Sequence, residues 1–254
     1  MSQILEVSQQ ARVLRITLNR PDQHNALSAE LCRDLLDTIN NADRDQSVGA
    51  IVLTGNGQSF SAGMDLKELG NVPVETINNV HEQLFTLSMR LTTPLIAAVN
   101  GLALGGGTGL VANCHIAVAS DKAKFGLTEV RLGLWPFLVF RALEVAAGER
   151  RAVELALTGR IFDVHEAREF GIVHEIAPNA EARAMEIAAN LSQSSPTALR
   201  SGLDFVQEVR NKDWPTAALI ARRVRDELFR SADFQEGLRA FREKRAPVWP
   251  SIQG

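Results

Sequence analysis

Two glycine-bearing turns carry the chemistry most legible in this chain. The first is Phe60-Ser61-Ala62-Gly63-Met64-Asp65-Leu66-Lys67; the second is Asn100-Gly101-Leu102-Ala103-Leu104-Gly105-Gly106-Gly107-Thr108-Gly109. Each follows an apolar run of strand character and leads into a helical pattern. Glycine lets a backbone approach a ligand closely because no Cβ intervenes. Helix N-termini carry unpaired N–H groups and a partial positive charge. Two such amides converging on one carbonyl oxygen would stabilise the anion that forms when the carbonyl is attacked or enolised. The pattern points to chemistry on an acyl group.

Other readings of these turns fit less well. GxGxxG fails at Leu110, and no Gly-Lys-Ser/Thr follows, so neither a dinucleotide fingerprint nor a P-loop is present. Ser59 and Ser61 do not sit in a GxSxG elbow.

The elements that must hold the turns are α/β in pattern. Val13 to Leu18 alternates and reads as a strand, with Ile4 to Val7 as a pairing segment. Ser28 caps a helix carrying Leu31, Leu35 and Ile39 at helical spacing. Gly49–Thr54, Pro94–Val99 and His115–Ala119 read as short buried strands, and Glu75–Leu91 as an amphipathic helix. After Leu134 the pattern is nearly all helical, with Asp163 as an N-cap, Asp213-Trp214-Pro215 starting one helix, and Asp233 with Glu236 resembling a capping box. A boundary near Pro196 divides an α/β core, residues 1–195, from a helical tail, 196–254. No internal repeat is visible.

The chain has 254 residues, 45% hydrophobic and 22% charged, with 27 basic and 30 acidic side chains and a net charge of −3. This is the composition of a globular protein with a sizeable core, and it carries no basic, aromatic-interleaved stripe for nucleic acid. Cys32 and Cys114 lack CxxC spacing and fit reduced, buried thiols in a cytoplasmic protein. His81, His165 and His174 show no metal-ligand spacing, and no metal is expected. His115 reads as a satisfied core histidine, and Arg222-Arg223-Val224-Arg225 as a solvated helix face or subunit contact. The opening MSQILEVSQQ has no signal-peptide pattern. Leu91 to Ser120 lacks charge, but Pro94, Asn100 and five glycines break it, against a membrane span.

Taken together, the motifs resemble the crotonase (enoyl-CoA hydratase/isomerase) superfamily. The resemblance rests on Asn19-Arg20-Pro21 with Asn25-Ala26-Leu27, on both glycine turns, and on Phe125-Gly126-Leu127-Thr128-Glu129 with Leu132-Gly133-Leu134 and Pro136. It continues through Leu157-Thr158-Gly159-Arg160, Glu166-Ala167, Gly171-Ile172-Val173 and Ala240-Phe241-Arg242-Glu243-Lys244-Arg245-Ala246-Pro247. It covers almost the whole chain in order.

The resemblance implies a crotonase-like spiral of ββα units with a C-terminal helical trimerisation region, assembled as a trimer or a hexamer. It implies an acyl-CoA thioester substrate, with coenzyme A as part of the substrate and no separate cofactor. The oxyanion-hole amides carry over to Met64 and Gly106. The CoA surface maps to Asp22, His24 and Ala26 and to Ala62, Asp65 and Leu66. Phe241 and Lys244 are positioned to reach the CoA of a neighbouring subunit.

Hydratases of the superfamily use two glutamates. At the first position this chain has Gly109; at the second it has Glu129, preceded by Thr128 instead of proline. Trp135-Pro136-Phe137-Leu138-Val139-Phe140 replaces the usual Gly-Gly continuation, and His115 stands where aspartate is common. Adding water across a double bond divides naturally between two carboxylates, whereas moving a double bond from β,γ to α,β needs one base. Glu129 alone therefore favours isomerisation, with burial by Trp135, Phe137 and Phe140 raising its pKa. Trp135, Phe137 and Phe140 read either as plain core or as a wall of the acyl pocket, with Gly109 beside the substrate. Hydration is the close alternative, hydrolysis or decarboxylation less so, and a non-catalytic CoA-binding scaffold is the rival of another class.

Overall fold

The structure, a computed structural model, describes residues 4–253. Five strands are long enough to show a pattern in sequence: β1 (Leu5–Gln10), β2 (Val13–Leu18), β3 (Ala50–Gly55), β5 (Leu95–Val99) and β7 (Ile116–Ala119). With the two-residue β10 (Glu175–Ile176) they form one sheet in the order β1-β2-β3-β5-β7-β10. The β1–β2 pair is antiparallel, Leu5 opposite Leu18 and Gln10 opposite Val13, and the other neighbours are parallel. A second sheet, β4-β6-β8-β9, is built from three-residue strands: β4 (Ser59–Ser61), β6 (Leu102–Leu104), β8 (Lys124–Gly126) and β9 (Ile161–Asp163).

β3, β5 and β7 each pass into a short strand of the second sheet (β4, β6, β8) and then into a helix: α2 (Val74–Phe85), α3 (Gly106–Ala112) and α4 (Phe137–Ala147). This is the ββα spiral, a structural repeat with no counterpart repeat in the sequence. The short strands were missed because three residues are too few to show a period.

The long sheet is buried on both faces, so its strands read as continuous apolar runs. On β3, Ile51 and Leu53 enter the main core, while Ala50 and Val52 face the other way. There they meet α7 (Ala180–Ser192) through Ala184 and Ala188, whose four-residue spacing puts small side chains on one stripe. The main core takes Leu31, Leu35 and Ile39 of α1 (Ala29–Arg44), all fully buried; each such side chain contributes about 1.5–3 kcal/mol of transfer free energy. Ser28 caps α1, its hydroxyl accepting from the Leu31 amide at 3.2 Å. Ser28→Ala would cost about 1 kcal/mol.

α5 (Glu149–Thr158) and α6 (Val164–Glu169) complete the core region. α8 (Pro196–Val209), α9 (Trp214–Phe229), α10 (Ala232–Glu243) and the short α11 (Pro250–Gln253) form the C-terminal helical region.

Asp163 and Asp213 cap α6 and α9 as expected. The capping box at Asp233 and Glu236 does not form, because Ser231 is the N-cap of α10 and its hydroxyl accepts from the Phe234 amide. Asp233 instead accepts from the Ser195 and Ser251 hydroxyls at 2.6 and 2.7 Å. Glu236 accepts from Arg239, Arg245 and the Val248 amide, which hold its carboxyl far below the usual range and tie the chain after α10 to the helix. The helix expected to Leu91 ends at Phe85, where the Thr86 hydroxyl bonds back to Glu82 O. The charge-free run from Leu91 to Ser120 is divided among β5, β6, α3 and β7. Among the described residues no helix is long and apolar enough to cross a membrane.

Candidate active site

The two glycine turns meet. A Cβ on Gly63 would lie 2.7 Å from Leu104 O and 3.0 Å from Gly106 N. The amide of Met64 follows directly, so the two turns bring the Met64 and Gly106 donors into one place. Neither amide has a backbone acceptor among the described residues. Gly63 (φ +85°) and Gly105 (φ +50°, ψ −118°) hold conformations that L side chains rarely adopt, and these set the direction of the amides that follow.

Three neighbours fix the first turn from behind. Leu27 pairs with it like a strand, its amide donating to Gly63 O at 2.7 Å and its carbonyl accepting from Asp65 N at 3.2 Å. His81 of α2 is buried and donates from Nε2 to the same Leu27 carbonyl at 3.3 Å, its ring edge-on to Phe85. Phe85 and Leu27 in turn close on Gly106. Burial holds the His81 imidazole below its ordinary pKa, against a smaller upward pull from Leu27 O and the Glu68 charge.

The second turn is locked from below. Thr108 Oγ1 lies 2.7 Å from Ala103 O and accepts from the Gly126 amide at 3.2 Å, which joins α3 to β6 and β8.

Glu129 opens a 3-10 turn, Glu129–Leu132, directly after β8, and Gly133 closes it in a left-handed conformation. Its carboxylate lies over Gly105: a Cβ there would be 3.0 Å from Oε1 and 3.3 Å from the carboxyl carbon. Oε2 is buried and has no hydrogen-bond partner among the described residues. Desolvation pushes this carboxyl above the usual carboxylate range, with only its own backbone amide pulling the other way. A desolvated, uncommitted carboxylate beside two free amides is equipped to take and return a proton next to a carbonyl that those amides polarise.

The expected CoA segments form one surface. The Ala62 amide donates to His24 O at 2.9 Å, and Arg20 joins Asp65 in an ion pair at 2.8 Å, both side chains largely buried. Arg20 also donates to Ala26 O at 2.6 Å. Asn25, fully buried, accepts from the Arg20 amide and donates to Asn56 O and Ser59 O. Asp22, His24 and Leu66 are exposed on this surface, Ala26 and Ala62 half-buried. The Asp65 carboxylate accepts from Arg20 and from the Lys67 amide, which fixes this part of the surface. The structural roles of Arg20 and Asn25 are not legible in the sequence, since Arg20 pairs with Asp65 and Asn25 donates to Ser59 O some 30–45 positions away.

One expectation is corrected. Phe137 is 73% exposed at the start of α4 and does not bury Glu129 or wall a pocket within this chain. Gly109 is buried on the helix side of the turn, and Val139 takes the space its side chain would need, Cγ1 lying 2.3 Å from where a Cβ would stand. Trp135 and Phe140 are half-buried, pack against each other with ring centroids 6.1 Å apart, and rest on the main core. His115 is a satisfied histidine, its Nδ1 accepting from the Leu95 amide at 3.0 Å. Cys32 and Cys114 are free and buried, their thiols pushed up to about 12 by desolvation. Among the described residues no group of three or more metal-ligating side chains occurs. Phe241 (82% exposed) and Lys244, in a left-handed conformation at the C-cap of α10, belong to the C-terminal helical region.

A ββα spiral that brings two backbone donors together near a half-buried glutamate is the architecture of the crotonase class of protein. The family model for enoyl-CoA hydratase/isomerase matches residues 8–252. A Mycobacterium tuberculosis protein named "Probable enoyl-CoA hydratase echA8" is 36% identical over 254 residues, covering 95% of each chain. The 2,3-dehydroadipyl-CoA hydratase of Escherichia coli K12 is 34% identical, over 97% of this chain and 98% of its own. The crystal structure of an enoyl-CoA hydratase from Bacillus anthracis superposes with a TM-score of 0.91 at 33% identity, covering 98% of this chain and 100% of that one. The chain belongs to the enoyl-CoA hydratase/isomerase family and is an enzyme of that family, with the acyl-CoA substrate the family implies.

Proposed function

We propose that this enzyme moves the double bond of an enoyl-CoA thioester from the β,γ to the α,β position, with Glu129 as the single acid/base. The thioester oxygen would accept from the Met64 and Gly106 amides. Glu129 would remove a proton from Cα, and the resulting enolate would be held by those two donors. The same carboxylic acid would return the proton at Cγ. One observation carries the reading: at the position of the family's other glutamate this chain has Gly109, and Val139 fills the space its side chain would need. Asp65 offers no second base, being committed to Arg20.

A second reading is hydration, and the names of the relatives favour it. It requires a water positioned without a second glutamate. The CoA moiety is placed on the surface of Asp22, His24, Ala26, Ala62 and Leu66. Phe241 and Lys244 are proposed to meet the CoA of a neighbouring copy in a trimer or hexamer.

The test is to incubate the protein separately with a trans-2-enoyl-CoA and a trans-3-enoyl-CoA and follow products by mass and chromatography, with Glu129→Gln as control. An isobaric 2-enoyl product from the 3-enoyl substrate, without water gain, supports the isomerase. A gain of one water from the 2-enoyl substrate supports the hydratase. CoA binding with neither conversion would overturn both.

A further inference from the structure

The end of the long sheet away from the Met64 and Gly106 amides carries a second concavity. The C-terminal ends of β3 and β5 lead into the loops of the candidate site. Gly49 and Pro94, which precede the same two strands, line a cleft of about 230 Å³ at the opposite end. Strands of this length separate their two ends by roughly 17–20 Å. The cleft is therefore distinct from the thioester site.

Two arginines face this cleft, Arg12 from the β1–β2 turn and Arg200 from α8. Their hydrogen bonds go to backbone carbonyls, Arg12 to Gln46 O at 3.0 Å and Arg200 to Asp43 O at 3.4 Å. Arg12 Nε is buried with no partner among the described residues. The carboxylates nearby are turned to other donors. Asp43 accepts from the Thr92 and Thr93 amides, Asp45 from the Ser47 amide, and Asp233 from the Ser195 and Ser251 hydroxyls. The Arg12 guanidinium is held below its ordinary pKa by burial and then by the charge of Arg200, which Asp45 only partly offsets. Thr93, Ser194 and Ser201 line the same space.

We propose that this cleft binds an oxyanion of the phosphate class, free or as a phosphomonoester, between the Arg12 and Arg200 guanidiniums. A doubly charged anion would supply the acceptor that Arg12 Nε lacks and would turn the repulsion between the two cations into shared attraction. Guanidinium forks match phosphate oxygens in pairs, and serine hydroxyls supply neutral donors around them. The cleft holds several times the ~30 Å³ share of one water, enough for the anion with part of its hydration shell.

The test is isothermal titration of inorganic phosphate, and in parallel of adenosine monophosphate, into the full chain at matched ionic strength, with sodium chloride as the blank. The same titrations are run on Arg12→Gln and Arg200→Gln. Saturable phosphate binding that weakens roughly tenfold or more in each variant is expected. Heat from the nucleotide alone would assign the phosphomonoester, and heat from both would assign the shared phosphate group. Absence of saturable binding in the wild-type chain overturns the proposal. So does binding that both variants retain, which would place the anion elsewhere, for instance on the CoA surface. Should Arg12→Gln fail to fold, Arg200→Gln on the helix surface decides alone. Its activity on acyl-CoA is expected to be unchanged.

Discussion

Val139 occupies the space into which a side chain at Gly109 would grow, its Cγ1 2.3 Å and its Cβ 2.4 Å from where that residue's Cβ would stand. The branched side chain of Val139 on α4 thus packs against α3 where a side chain at position 109 would stand. Gly109→Glu alone should destabilise the fold by about 1–3 kcal/mol or more through overpacking. Val139→Ala would not relieve it, because the Val139 Cβ itself is in the way. The double variant Gly109→Glu/Val139→Gly should recover a cooperative thermal melt, less about 1 kcal/mol for glycine within α4. If the missing carboxylate is what withholds hydration, that variant should add water to a 2-enoyl-CoA.

The unpartnered Glu129 carboxylate makes a paired prediction about rate and stability. Glu129→Gln should lower turnover roughly 10²–10⁴-fold while leaving CoA affinity in place. The same change should raise the melting temperature at neutral pH. The sign follows from linkage: the folded-state pKa lies above the unfolded value of 4.5, so ionised Glu129 opposes folding at higher pH and its neutral amide replacement does not. In the wild type, the acid limb of kcat/KM should fall above the ordinary carboxylate range. An acid limb at 4.5 or below would refute the raised pKa.

The Arg20–Asp65 pair joins the two segments of the proposed CoA surface from inside the protein. Breaking it on one side, by Asp65→Asn or Arg20→Met, leaves a largely buried charge without its partner. Loss of about 3–5 kcal/mol is expected in denaturant titrations. The double variant should lose less than the sum, and additivity would show that the pair is not coupled.

His81 predicts a pH dependence of stability. Its folded pKa is depressed below the unfolded value of 6.5, so the unfolded chain takes a proton first as pH falls through that value. Its contribution to stability is complete above about pH 6.5 and is lost progressively as pH falls toward the folded value. Urea titrations at about pH 8 and about pH 5.5 should show that loss in the wild type and a smaller one in His81→Leu. An identical pH response in the two would remove His81 from the account.

The long strands, the caps at Ser28, Asp163 and Asp213, and the two glycine turns were legible in the sequence because each is a local rule. Alternation, a capping hydroxyl or carboxylate, and a residue that tolerates positive φ act within a few positions. The register of the motifs around Glu129 likewise marks it as the candidate base. What the sequence could not supply were contacts between distant segments. The three-residue strands of the second sheet exist because the long strands hold them in place. Arg20 finds Asp65, and Asn25 finds Asn56 O and Ser59 O, across 30 positions or more. Asp233 left its expected capping box for two serines in other elements, and Phe137 points to solvent although its composition suggested a wall. That the space beside Gly109 is filled, and that Glu129 stands above Gly105 with one oxygen unpaired, follows from how α4 and the Glu129 turn close on α3. Close packing is decided only when the chain has folded.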